Sequence, residues 1–344
     1  MFIECLQRNF ENKLTFTSDV HIIITTVPDT PLNDADHVGS FFWSITMDNN
    51  KKEERELKKI QAPLTIPQQI ENLKELGLTI EDEEKAASFL NDVSYFRFIK
   101  AYSLGLKPKN GKYRKGVSFE HLMQLYLFNA NFRQLLFAQI EKIEINLRCR
   151  VSNQFSLVHG PMGYLDADNF ETYPPEFAQE IQREIGRNWR TPFIRNFQTS
   201  YENGDIPFYA VVEILSFGTL SKFLKNMNAS DKKAVAMSYG VQYTYLESWI
   251  ESIAYVRNIC AHYGRLYNTK LTKTPALYRE DRKNGITNGR VMGTLVCMKR
   301  LLPQDRHWNE FVDTIELLFE KYPAVKKQTM GFPESWKEIL LSSK

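Results

Sequence analysis

Residues 119–155 carry one long helical pattern. Leu136, Ile140, Ile143, Leu147 and Val151 recur three or four residues apart, and no proline or glycine interrupts the stretch. The break comes at His159-Gly-Pro-Met-Gly163. A helix of this length offers its apolar stripe to several partners at once, so the rest of the chain is expected to pack around it. Further helical patterns are centred near residues 180, 215, 235, 253, 295 and 313, and strand signals after residue 60 are few. The expectation is an all-α protein. Its bundle is built on the long helix and on the helix that ends before Gly264, with additional helices around them.

Residues 47–115 read as an N-terminal helical region, residues 116–325 as the main domain and residues 326–344 as a C-terminal tail helix. Within the first, Thr65 is an N-cap followed by Pro67, and Gly77 closes the helix. Asp82 to Val93 reads as a second helix, Tyr95-Phe-Arg-Phe-Ile-Lys-Ala-Tyr102 as an aromatic-rich third, and Asn110-Gly111 as a turn. Residues 1–46 are different in kind. His21-Ile-Ile-Ile-Thr-Thr-Val27 is a short β-branched run, and a Pro- and Asp-rich stretch follows. They read either as a short N-terminal strand or as a dispensable extension upstream of a start at Met47.

The formal charge of +3 is uninformative as a sum but not in its distribution. Residues 1–46 are net −4, whereas residues 257–300 hold ten Lys or Arg against Glu280 and Asp281, a net of +8. One concentrated basic segment fits a polyanionic partner, and a solvated surface segment is the plain alternative. Cys5, Cys149, Cys260 and Cys297 are scattered, which excludes a disulfide framework or zinc ribbon. No stretch approaches the roughly 20 apolar residues of a membrane span, and the N-terminus lacks signal-peptide features. A cytoplasmic protein with no membrane association is expected.

The segment Tyr255-Val-Arg-Asn-Ile-Cys-Ala-His-Tyr-Gly-Arg-Leu-Tyr-Asn268 carries the chemistry. On an ideal helix, Leu246, Trp249, Ile250, Ile253, Val256 and Cys260 share one apolar face, while Glu251, Tyr255, Asn258 and His262 share the opposite strip. Arg257 points into the apolar face, roughly 140° from His262. A buried guanidinium needs a carboxylate, and Glu144 or Glu141 on the long helix is the expected partner, with Arg148 competing for it. Gly264 stands where a C-terminal cap belongs, which puts His262 in the last turn. An imidazole there can move a proton in either direction. RNA cleavage needs a base for the 2′-hydroxyl and an acid for the leaving 5′-oxygen. Arg257 is suited to the charge on the phosphorane, and Asn258 to orienting the imidazole or the phosphate. Arg265, Lys270, Lys273, Arg279, Arg282, Lys283 and Arg290 are the expected phosphate contacts. The other histidines (His21, His37, His121, His159, His307) lack ligand spacing, and neither metal nor cofactor is expected. By itself an Arg-x4-His pair is weak, since a capping His and a core ion pair give the same pattern.

Residues 60–320 resemble the Abi-like abortive-infection family (its AbiD and AbiF types). The blocks that carry the resemblance are Leu64-Thr-Ile-Pro-Gln-Gln-Ile-Glu-Asn-Leu-Lys-Glu-Leu-Gly77, Tyr95-Phe-Arg-Phe98, Tyr126-Leu-Phe-Asn-Ala-Asn-Phe-Arg133 and Ile140-Glu-Lys-Ile-Glu-Ile-Asn-Leu-Arg148. They continue in order with Pro207-Phe-Tyr-Ala-Val-Val-Glu-Ile-Leu-Ser-Phe-Gly-Thr-Leu220 and Arg257-Asn-Ile-Cys-Ala-His-Tyr-Gly-Arg-Leu-Tyr-Asn268. The last block is the most diagnostic. The departures are Asn129, where the family often has Asp, and Phe208-Tyr209, where Trp is frequent. Neither is expected to touch the site.

The resemblance implies a HEPN-like helical bundle, often a dimer, and a metal-independent endoribonuclease in which Arg257 and His262 are the catalytic pair and Asn258 the polar residue beside the arginine. It also implies a phage-defence or toxin–antitoxin role, with RNA as partner and an antitoxin protein or a small RNA as a further candidate. Control by modification of a His-x-Tyr tyrosine is not expected, because Tyr263 follows His262 directly. Glu213 is a possible second polar contributor, but a structural bond to a neighbouring helix is the stronger expectation. Ser216 and Gly218 read as close-packing positions. The alternatives to an enzyme are a non-catalytic RNA-binding module and a regulatory scaffold.

Overall fold

The computed structural model describes residues 60, 62–107 and 111–342. The strand or extension expected over residues 1–46, and the start at Met47, lie outside the described residues. Residues 62–344 group as one compact unit.

Helix α1 (Ile66–Glu75) begins as its sequence dictates. The Thr65 backbone N–H donates to Gln68 Oε1 at 2.9 Å, Pro67 occupies the first turn, and Gly77 reverses the chain at φ 84°. Asp82 caps α2 (Glu83–Asp92) by accepting the Lys85 N–H at 2.9 Å. Tyr95 to Tyr102 is helical with a wide, π-type centre at Phe96–Lys100. Phe98 there is fully buried, its ring centre 4.8 Å from Phe89 and 5.2 Å from Phe119.

Helix α3 (Phe119–His159) runs for 41 residues, ~60 Å at 1.5 Å per residue. Ser118 caps it, and Gly160 (φ 76°) ends it four residues beyond the expected Phe155. The stripe of Leu136, Ile140, Ile143, Leu147 and Val151 is completely buried. Each such side chain contributes roughly 1.5–3 kcal/mol when removed from water. The remaining helices follow in order: α4 (Pro175–Arg187), α5 (Pro192–Ser200), α6 (Phe208–Ile214), α7 (Phe217–Asn226), α8 (Ala229–Met237), α9 (Tyr243–Ala261), α10 (Arg279–Lys283), α11 (Val291–Leu301), α12 (Arg306–Lys321) and α13 (Trp336–Leu341). α6, α8, α9 and α12 pack directly on α3, and α9 also packs on α7, α8 and α11. The all-α expectation holds among the described residues, whose only β pairings are two isolated bridges, Thr79 to Ser118 and Phe170 to Met227.

The single helix expected around residue 215 is two helices. Leu215 is extended (ψ 139°), and the chain turns by 110° between the segments ending at Ile214 and starting at Phe217. Ser216 is the cap of α7, accepting the Thr219 N–H at 3.1 Å. A Cβ on Gly218 would meet nothing nearer than 3.7 Å, so neither Ser216 nor Gly218 is a close-packing position. The C-terminal segment is a short turn (Lys327–Met330) and α13, not one tail helix. It is stitched to α12 by Phe319, Phe332 and Trp336, whose ring centres lie 5.1–5.8 Å apart, and by a 2.8 Å bond from Trp308 Nε1 to the Leu340 carbonyl. Among the described residues no single helix is long and apolar enough to cross a membrane.

Candidate active site at the end of helix α9

Helix α9 buries Leu246, Trp249, Ile250, Ile253, Val256 and Cys260, the face expected from its periodicity. Its end is built differently from the expectation. His262 is the C-cap, and Tyr263 takes the left-handed conformation at φ 58°. The Tyr263 N–H donates to the Cys260 carbonyl at 3.2 Å and the Gly264 N–H to the Ile259 carbonyl at 2.7 Å, a Schellman closure. The strained position is therefore a tyrosine, and Gly264 serves another purpose. A Cβ on Gly264 would lie 2.9 Å from Ile259 Cγ2 and 3.1 Å from its carbonyl oxygen.

Three side chains outside α9 hold this closure. Asn129, fully buried on α3, accepts the N–H groups of Leu266 and Tyr267 at 2.8 and 3.0 Å through Oδ1. Its Nδ2 donates to the Gly264 carbonyl at 3.3 Å, and Arg133 Nη1 donates to the same oxygen at 3.1 Å. Arg97 Nη1 donates to the Tyr263 carbonyl at 3.1 Å, with its guanidinium 5.8 Å from the Tyr263 ring centre. Asn129 was expected to stand clear of the site; instead it fixes the loop that follows His262. Asn129 and Arg133, a polar pair four residues apart among buried phenylalanines, were the overlooked signal.

Arg257 lies at the seam between α9 and α3. Its Nε is 3.5 Å from Glu144 Oε2, and its guanidinium is 5.5 Å from the Phe137 ring centre. Glu144 is thus the partner and the exposed Glu141 is not. Glu144 also receives Arg148 Nη2 at 2.5 Å, and Arg148 donates its Nη1 to the Val212 carbonyl. The stronger contact belongs to Arg148, which leaves the Arg257 Nε buried without a hydrogen bond. The side chain of Arg257 stays about one-third open, 31 % exposed, as its long stem allows.

The four-residue strip is only partly one place. Glu251 lies ~16 Å along the helix from His262 and binds Lys273 Nζ at 2.6 Å. That bond pulls the Glu251 carboxyl below its ordinary range. Tyr255 is half-buried against the core. Asn258 and His262 are one turn apart, and neither side chain bonds to a described residue. His262 is exposed, as its position on the polar strip predicts.

The basic segment divides by environment. Arg265 is committed to the Ala101 carbonyl at 2.6 Å, and Arg300 to Asp281 at 2.8 Å. Lys299 is buried and bonds the Ile339 carbonyl at 2.6 Å, while Arg290 is half-buried. Lys270, Arg279, Arg282 and Lys283 are exposed and have no ion pair among the described residues. The solvent-facing charge is therefore smaller than the segment's +8. Glu213 is exposed and bonds no described residue, so the structural bond expected for it is absent. Burial pushes the Cys260 thiol up to about 12, whereas Cys149 is exposed. No group of three His, Cys, Asp or Glu side chains among the described residues is arranged to hold a metal ion.

The profile of the family described as Abi-like protein matches residues 88–268, just over half of the chain. The chain belongs to the Abi-like protein family. The Abi-like match takes in the whole of α3 and α9 and stops at Asn268, the end of the block that carries Arg257 and His262. The exposed cations from Lys270 onward and helices α10 to α13 lie beyond it. No curated protein and no solved structure matches the chain.

Proposed function

We propose that this Abi-like protein is a metal-independent endoribonuclease of the HEPN type, the toxin of a phage-defence or toxin–antitoxin system, with Arg257, Asn258 and His262 as its catalytic residues. The observation that carries the reading is the way His262 is presented. The loop that follows it is fixed by the Schellman closure and by Asn129, Arg133 and Arg97, yet its imidazole is exposed and engages no described residue. His262 caps α9 through its backbone alone, and its imidazole takes no part in the cap or the core.

The chemistry is an internal transesterification. The 2′-oxygen attacks the adjacent phosphorus while a base removes its proton. The bond from phosphorus to the 5′-oxygen breaks, and an acid protonates that oxygen. The products carry a 2′,3′-cyclic phosphate and a 5′-hydroxyl. An exposed imidazole suits either proton transfer, the Arg257 guanidinium suits the phosphorane's charge, and Asn258 suits alignment of the phosphate or the ring. Arg257 and His262 leave the helix ~140° apart. A twofold dimer that joins two motifs supplies an imidazole for each side of the phosphate. Lys270, Arg279, Arg282 and Lys283 are the exposed cations available to the RNA backbone. Purified protein incubated with total RNA in EDTA is expected to release fragments with cyclic-phosphate ends. RNA left intact under all divalent-ion conditions would leave the RNA-binding module in its place.

A further inference from the structure

Helix α4 faces the core with Phe177, Ile181 and Ile185, all buried. This turns Arg183 and Arg187 to solvent on one exposed ridge. Arg190 follows in the turn after α4, with its guanidinium 4.8 Å from the Trp189 ring centre. Arg195 is exposed on α5, whose only buried residue is Ile194. None of these four arginines has an ion pair with a described residue. Residues 183–201 contain a single carboxylate, Glu184, which lies 3.4 Å from the Thr219 hydroxyl; Glu176 and Glu180 precede it on α4, Glu180 paired with Lys222, and Glu202 and Asp205 follow before α6.

Exposed aromatic rings accompany these charges along the same stretch of chain. Trp189, Tyr201 and Tyr209 are each more than half exposed, and Phe193 is exposed as well. Phe197 braces two of them, with ring centres 4.7 Å from Tyr201 and 6.4 Å from Tyr209. Single exposed rings are ordinary, but several in one stretch beside unpaired guanidiniums mark an interaction surface. A protein partner for four unpaired guanidiniums would have to be strongly acidic, whereas a nucleic-acid strand brings a phosphate with every base. Rings stack on unpaired bases and have no access to bases within a duplex.

We propose that the exposed surface of α4, α5 and the start of α6 binds single-stranded nucleic acid, with Trp189, Phe193, Tyr201 and Tyr209 as stacking platforms and the arginines as phosphate contacts. On the ribonuclease reading above, the strand is the RNA substrate. Tyr209 ties the surface to the site. It stands one turn before Val212, whose carbonyl holds Arg148, which in turn holds Glu144 beside Arg257.

The test is equilibrium binding of a fluorescent 20-nucleotide RNA, its duplex and a DNA strand of the same sequence to the His262→Ala protein. The single-stranded RNA should bind more tightly than the duplex. The Trp189→Ala/Tyr209→Ala variant should lose roughly ten-fold or more in affinity at unchanged melting temperature. Arg187→Gln/Arg190→Gln should lower the slope of log affinity against log salt by about 1.4, from two contacts at about 0.7 each. Unchanged affinity in the ring variant, or equal binding of the duplex, would overturn the surface assignment. Equal binding of the DNA strand would overturn its assignment to RNA. If the ring variant loses binding but His262→Ala still cleaves, the surface stands and the catalytic reading falls.

Discussion

Glu144 has two suitors, and the distances decide between them. Arg148 approaches to 2.5 Å and Arg257 only to 3.5 Å. Removing Arg257 therefore leaves the carboxylate paired, and Arg257→Ala should cost only about 1 kcal/mol of stability. Removing the carboxylate is different, because Arg148 is 9 % exposed and keeps only the Val212 carbonyl. Glu144→Ala should cost about 3 kcal/mol, the lower end for breaking a buried pair. Urea melts of the two variants check this ordering, and equal losses would show that Arg257 is the principal partner after all. The helix periodicity was enough to bring Glu144 and Arg257 together. It was silent on which arginine wins, because that depends on side-chain reach across a helix seam. The same separation leaves the Arg257 side chain 31 % exposed rather than committed to a close structural bond.

At the scale of elements, the end of α9 is the part that most needs its neighbours. Gly264→Ala should destabilise by about 2 kcal/mol, since its Cβ would meet Ile259 at 2.9 Å and nothing there can retreat cheaply. Asn129→Leu should cost about 3 kcal/mol by leaving the Leu266 and Tyr267 N–H groups buried and unpaired. Thermal melts with parallel cleavage assays check both, and a neutral Gly264→Ala would mean the closure has room to relax. Helices α1, α2, α3 and α9 were legible because caps and apolar spacing act within a few residues. Thr65, Asp82 and the stripe from Leu136 to Val151 each carry their own local signal. The break at Leu215 was not legible. A run with no proline or glycine between Val211 and Leu215 reads as one helix, and tertiary packing of Phe208 and Phe223, 4.3 Å apart, is what folds it back. The role of Asn129 was hidden for the same reason, since its three partners are more than 130 residues away.

The whole molecule joins a helical scaffold to the exposed imidazole of His262 and to two stretches of exposed cations. The proposed chemistry calls for a twofold dimer, because Arg257 and His262 lie on different sides of α9, and on that proposal light scattering should give about twice the 40.2 kDa chain mass. A monomer that still cleaves would remove the need for two motifs. The central claim is narrower than that and more exposed to refutation: His262 moves the proton in RNA cleavage. Its most direct test is the rate at which His262→Ala cleaves a defined RNA in EDTA, alongside its melting temperature. Because the imidazole is exposed and bonds no described residue, the melting temperature should be unchanged. The rate should fall by ~10²–10⁴-fold, the usual contribution of a general acid–base, and the unmodified protein's products should end in 2′,3′-cyclic phosphate and 5′-hydroxyl. Full-rate cleavage by a folded His262→Ala protein would contradict the assignment outright.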